Sequence, residues 1–252
     1  MSKTTQTDAD LRAILANQQR LDSRLLWLFM LPFLITAVTV AMFFTISARL
    51  TDVEVGTKLV TIERILESDK NYAWAVDQYE RIAASYSNAP ILARLGVLYF
   101  LLDPNNQDVA IQKLEMAKRI DPKYWEIYRS LTYIYQATNR PKEAIESGRR
   151  ALELNKNDAN TYNNLAWVYS TSKEPTYLNL QLAQEYAQKA VMLTMEKQPN
   201  FLDTLAGIYF RRGDRDHALD SLRKAKAAAL DQSGYAQMIQ VHFERLFPND
   251  TL

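Results

Sequence analysis

The stretch YRSLTYIYQATNRPKEAIESGRRALELNKND, residues 128–158, decides the fold. Its first half places Tyr128, Leu131, Thr132 and Tyr135 at spacings of three and four, which is one face of an α-helix. Its second half places Ala144 and Ala151 seven residues apart, again on one face of a helix. A small side chain on each helix lets the pair approach closely, and the large apolar ones fill the space that remains. The stretch therefore predicts an antiparallel helix hairpin.

The same arrangement recurs along the chain. Ala110 with Ala117, Ala183 with Ala190 and Ala218 with Ala225 repeat the small pair, and Ala75 with Ile82 is a looser copy. Successive first members, from Ala75 onward, are 35, 34, 39 and 35 residues apart. The large-and-small pattern before them recurs at Leu92, Leu95, Gly96 and Tyr99, at Tyr162, Leu165, Ala166 and Tyr169, and at Leu202, Leu205, Ala206 and Tyr209. Leu59, Ile62, Glu63 and Leu66 hold the same places in the first copy. One hairpin cannot bury its apolar face alone, whereas stacked copies share a continuous core.

At these residues the chain resembles the tetratricopeptide repeat (TPR) family over 56–231, in about five units. Units 125–158, 159–198 and 199–231 match strongly. Gly213 stands at a turn between helices and Pro122 at a helix end. Unit 89–124 carries two extra residues near DPNNQD, and unit 159–198 about five in STSKEPTYLNL. Unit 56–88 is degenerate, with Glu63 in place of a small residue, as befits the end of a stack. Beyond the last unit, Tyr235, Met238, Ile239, His242 and Leu246 form a further helical stripe. Residues 232–247 are thus expected to cap the solenoid, with a tail over 248–252.

Composition agrees with an all-α protein. Among 252 residues there are only 6 Gly and 8 Pro. Lys and Arg total 30 and Asp and Glu 29, so no basic excess drives binding to nucleic acid. There is no Cys, which excludes thiolate catalysis and disulfides. The two histidines, His217 and His242, lack the spacing of a metal site, and no nucleophile elbow, P-loop or dinucleotide fingerprint is present. His217 reads as a surface residue that does not converge with Asp216, and His242 as a packed one. The expectation is a protein that is no enzyme and has no cofactor, no metal and no small-molecule substrate.

Residues 25–46, LLWLFMLPFLITAVTVAMFFTI, are 22 residues without a charge. At 1.5 Å per residue they reach about 33 Å, enough for a hydrocarbon core of about 30 Å. Arg24 and Arg49 close the two ends, Trp27 suits an interface, and Pro32 weakens one turn. The run is too long, and its polar start of 24 residues too extended, for a cleaved signal peptide. A single N-terminal transmembrane helix is expected, with a polar helical segment over 1–24 before it and a linker over 47–55 after it. Leu11, Ile14, Leu15, Gln18, Leu21 and Leu25 give that first segment an apolar stripe. Arg20 and Arg24 lie near the span on one side against Arg49 on the other. This tilts the N-terminus inside and the repeats outside the cytoplasm of a bacterial-type inner membrane.

The TPR resemblance implies a superhelix whose concave face binds a protein partner. Carried onto this sequence, the groove positions include Val97, Phe100, Leu101, Arg129, Tyr133 and Gln136 in two first helices. In the next two they include Asn163, Trp167, Ser170, Asp203, Phe210 and Arg211. Ala93 and Val97 stand where the family's carboxylate clamp for chaperone peptides needs polar groups, so that mode is not expected. The layout implies a scaffold or adaptor that assists assembly of a membrane complex. Its alternatives are a permanent structural subunit of such a complex and an organelle-surface targeting receptor. Ala37 and Ala41, four apart, would suit helix packing in lipid.

Overall fold

The computed structural model describes the backbone of residues 3–230 and 233–248 and the side chains of 36–230 and 234–248. The expectations for the Leu11–Leu25 stripe, for Trp27 and Pro32, for the first half of the apolar span, for residues 231–232 and for the tail beyond 248 lie outside the described residues or side chains. Among the described residues there are eleven α-helices and no strand. The chain divides into two compact units, residues 1–61 and 62–252.

The first unit is helix throughout its described backbone, as part of α1 (Lys3–Asp69). Thr36 to Ile46 are all exposed, and Thr36–Asp69 is long and apolar enough, by length and composition, to cross a membrane. Residues 47–55, expected as a linker, are helical. The Thr51 and Thr57 hydroxyls are satisfied within the helix itself, donating to the carbonyls of Ser47 and Val53 at 3.0 and 2.9 Å. Glu54 and Lys58 form an i,i+4 ion pair at 2.7 Å, and no proline interrupts the turn ladder.

In the second unit, ten helices follow the end of α1: α2 (Tyr72–Ser85), α3 (Ala89–Leu102), α4 (Gln107–Ile120), α5 (Trp125–Ala137), α6 (Pro141–Leu154), α7 (Ala159–Thr171), α8 (Leu180–Leu193), α9 (Pro199–Arg211), α10 (Arg215–Ala228) and α11 (Ser233–Leu246). Their starts are chemically marked. Asn71, Asn88, Asp158, Asn179 and Asp214 each accept a backbone amide three residues on, which satisfies one orphan donor of the first turn. Pro90, Pro141 and Pro199 lie in first turns, where a missing N–H costs nothing. Asn139 (φ 54°) and Gly213 (φ 82°) make the tight turns into α6 and α10. The extra residues of two units form short 3-10 turns, Pro104–Asn106 and Pro175–Tyr177.

Helices α3/α4, α5/α6, α7/α8 and α9/α10 pack as hairpins, and the first helices of successive hairpins also touch. Every alanine of the four clear repeat pairs is fully buried. Tyr99, Tyr169 and Tyr209 reach back to the second helix of the preceding hairpin. Tyr99 donates to Glu80 at 2.8 Å, Gln188 donates to Tyr209 at 2.9 Å, and Arg149 donates to Tyr169 at 3.4 Å. Three of the four hairpins are thereby fastened to the one before by a polar bond at the edge of an apolar seam, while Tyr135 of the α5/α6 hairpin packs under the Arg140 guanidinium instead. Helix α11 lies against α9 and α10, burying Ile239 and Phe243, with Phe247 just beyond its end. His242, beside them, is paired with Asp203 of α9.

Gly96 marks a very tight crossing. A Cβ there would stand 2.8 Å from the Ala110 carbonyl oxygen and 2.9 Å from Leu114 Cγ. Gly207, also mid-helix, would meet only His242, at 3.5 Å from Cε1, an ordinary contact. Gly96→Ala should therefore lose about 1–3 kcal/mol of stability through overpacking, whereas Gly207→Ala should be neutral or gain up to about 1 kcal/mol of helix propensity. Urea denaturation of the two variants, followed by circular dichroism, measures the difference. Equal behaviour of the two would refute the close-crossing argument.

Candidate functional site

One face of each first helix in the second unit lines a common groove of about 420 Å³. Helix α3 contributes Pro90, Ala93, Arg94 and Val97, and α5 contributes Glu126, Arg129, Ser130 and Tyr133. Helix α7 adds Asn160, Asn163 and Asn164, and α9 adds Asn200 and Phe201. Within α3 and α5 the spacings are 3, 1 and 3, so the lining residues form a single stripe on each helix. Stacking hairpins in register sets these stripes side by side.

The groove changes character along its length. At the α3 end, Arg94 Nε donates to Glu63 Oε1 at 2.8 Å, and Arg94 Nη2 bonds the other carboxylate oxygen. The Tyr79 hydroxyl also donates to Glu63. Burial works to raise the Glu63 carboxyl, but the hydrogen bonds from Arg94 and Tyr79 outweigh it and hold it below 4.5. The Tyr79 phenol is pushed up by burial and by Glu63 beside it. In the middle, the Arg129 guanidinium stacks 4.8 Å from the Trp125 ring and lies 3.7 Å from Glu126 and 4.0 Å from Asp158. Tyr133 stands edge-on to Phe100 with ring centres 5.7 Å apart, and burial raises its phenol. At the α7 end the lining is amide. Asn163 Oδ1 is buried without a hydrogen-bond partner among the described residues. A buried unpaired amide oxygen is costly, so an incoming N–H donor there would relieve a penalty already present.

Of the residues expected in the groove, Val97, Arg129, Tyr133 and Asn163 line it together. Phe100 and Ser170 are buried instead, and Ser170 donates to the Trp167 carbonyl at 3.0 Å. Phe100 lies a turn past Val97, beyond the part of α3 that lines the groove, and its ring packs edge-on against Tyr133 in the core. Ser170 stands two turns beyond Asn163, past the end of the groove on α7. Gln136 and Trp167 share a separate shallow depression with Pro141 and Thr171. Asp203 is buried and held by His242. Phe210 packs edge-on to Phe247, Arg211 is exposed, and Leu101 is half-buried outside the groove. Arg94, Glu126, Ser130, Asn160, Asn164 and Asn200 were missed. Stepping back three residues from Val97, Arg129, Tyr133 and Asn163 reaches four of them. His217 is exposed as expected, and its ring stacks on Tyr209 and bonds Asp214, three residues back, at 2.8 Å. Among the described residues no three His, Asp or Glu converge as a metal would need.

The register of stacked hairpins defines a TPR-type α-solenoid. TTC0263, a thermophilic TPR protein of Thermus thermophilus, has a similar solved structure. Its TM-score is 0.63 at 20% identity, over 75% of this chain and 98% of that one. MamA gives a TM-score of 0.51 at 22% identity, over 68% and 95%. The APC/C hetero-tetramer Cut9–Hcn1 gives 0.54 at 17%, over 76% of this chain and 43% of that one. No protein-family model and no curated protein matches the sequence.

The Glu63–Arg94 bridge ties the degenerate first unit to the next, and its pH dependence has a definite sign. The lowered carboxyl adds stability that is present above the unfolded value near 4.5 and is lost as pH falls through the folded value. Glu63→Gln should cost about 1–2 kcal/mol at neutral pH, and the gap to wild type should close as pH falls through the lowered folded value of Glu63. Hydrogen exchange of the α2 and α3 amides on either side of that value reads this. A gap that does not depend on pH would contradict it.

Proposed function

We propose that this chain is a membrane-anchored scaffold whose concave groove holds an extended segment of a protein partner, in aid of assembling a membrane complex. The unpaired Asn163 Oδ1 beside the amides of Asn160, Asn164 and Asn200 carries the reading. A carboxamide offers one donor face and one acceptor face, which matches the alternating N–H and C=O of an extended backbone. The row of amides therefore grips main chain regardless of its sequence. Tyr133 and Arg129 add selectivity, the first for an apolar side chain and the second for an acceptor, in keeping with the aromatic and arginine bias of interfaces.

The lipid attachment of this proposal rests on residues 25–46, supported by the uniformly exposed apolar side chains from Val38 to Ile46. The repeats stand outside the cytoplasm of a bacterial-type inner membrane in this reading, with the positive-inside argument behind it. The permanent-subunit reading shares the same anchor and differs in that the groove would be filled at all times.

Asn163→Ala, Tyr133→Ala and Arg129→Ala should each lower capture of a partner by at least several-fold, since central interface residues cost about 1–2 kcal/mol or more on truncation. In-membrane crosslinking with quantitative mass spectrometry measures it, with Trp167→Ala as the comparison outside the groove. If none of the three groove changes alters any crosslinked protein, the groove is not the binding site. Protease protection of the repeats in sealed vesicles tests the orientation.

A further inference from the structure

A second stripe on α1 has no place in the groove reading. Phe43, Ile46, Leu50, Val53, Thr57 and Val60 follow one another at spacings of 3, 4, 3, 4 and 3. Thr36 and Thr39 extend the same series backward, so the 3.5-residue period runs over 25 residues, 36 to 60. A strict 3.5 period is the mark of a helix that packs against another helix along a seam. By helical period this seam is a different stripe from Ile62 and Leu66, which are buried in the second unit.

Lipid does not account for the seam's C-terminal half. Arg49, Asp52, Glu54 and Lys58 fall within ten residues, too many charges for a hydrocarbon core. Leu50, Val53 and Val60 nevertheless remain 65%, 67% and 70% exposed. Thr57 fits among them because its hydroxyl already donates to the Val53 carbonyl, leaving the methyl free to pack.

The charges flanking the seam identify what covers it. With Leu50 and Thr57 as a positions and Val53 and Val60 as d positions, Arg49 is a g residue and Glu54 the following e residue. In a parallel two-stranded coiled coil, g of one helix faces e of the other, five residues on. Arg49 of each copy then faces Glu54 of the other, twice by symmetry. The next g and e places, Gly56 and Thr61, are uncharged and set up no repulsion. Glu54 is now bonded to Lys58 on the open surface, with both side chains more than half exposed, so it is free to exchange partners.

We propose that the protein is a parallel homodimer, joined along α1 by the seam from Phe43 to Val60. Two copies anchored in one membrane share an orientation, which is the orientation these charges require; to that extent the proposal rests on the anchoring reading. Within the bilayer the seam continues through Thr39 and Thr36, side chains small enough for close helix contact.

Because the chain has no cysteine, single replacements report without background. Leu50→Cys, Val53→Cys and Val60→Cys, oxidised in native membranes of the full chain, should give disulfide-linked homodimers. Thr51→Cys and Lys58→Cys, off the seam, should give several-fold less. Arg49→Glu in the Val53→Cys background should lower the yield several-fold, and adding Glu54→Arg should restore it. Equal yield at all five positions, no dimer at any, capture of a different polypeptide in place of the homodimer, or no rescue by the double reversal would each overturn the proposal. Alkaline extraction of the same membranes is read separately. A chain released by it ends the anchoring reading, while the crosslink pattern still decides the seam.

Discussion

Two helices approach closely only where the side chains between them are small. In this chain Ala110, Ala144, Ala183 and Ala218 hold that place in successive hairpins, and all are fully buried. Gly96 and Gly148 tighten two of the crossings further, since a Cβ on either would meet a neighbour at under 3 Å. The regular spacing of those contacts makes the hairpins alike, and alike hairpins stack in register. The groove is a consequence of that register rather than a separately folded feature.

Polar chemistry is fitted around this apolar frame. Tyr99, Tyr169 and Tyr209 bond backward to the preceding hairpin at its edge, where the hydroxyl reaches a partner and the ring still packs. The two ends of the stack use carboxylate side chains instead. Glu63, at a place where other units carry a small residue, binds Arg94 and Tyr79. Asp203 meets His242 on the capping helix. In both cases an end that lacks a full neighbouring hairpin is closed by a polar side-chain pair. Arg94 and Asp203 are drawn into these closures from helices whose neighbouring side chains face the groove. That leaves the neutral amides around Asn163, beside Arg129 and Tyr133, as the part of the groove not drawn into either closure.

The repeat period could be read directly, because small and large residues recur at helical spacing and because Pro122 and Gly213 mark a helix end and a turn. The groove was legible only in part. Val97, Arg129, Tyr133 and Asn163 were recovered, and Arg94, Asn160, Asn164 and Asn200 were not. A side chain's distance along a helix does not reveal how far it is turned toward the next hairpin. Phe100 and Ser170 were placed in the groove on repeat position alone. Both lie beyond the stretch of their helix that the groove uses, and Phe100 packs into the core against Tyr133.

Sequence by itself determined the all-helical stack, the long apolar helix near the start and the lack of recognisable catalytic motifs, since these depend on local periodicity and residue type. Tertiary structure decided that Asp203 belongs to His242 and that Asn163 Oδ1 is left without a partner among the described residues. Those outcomes depend on which side chains meet across 30 or more residues of chain. A period can state neither, because it records the angle around one helix and nothing of what stands opposite.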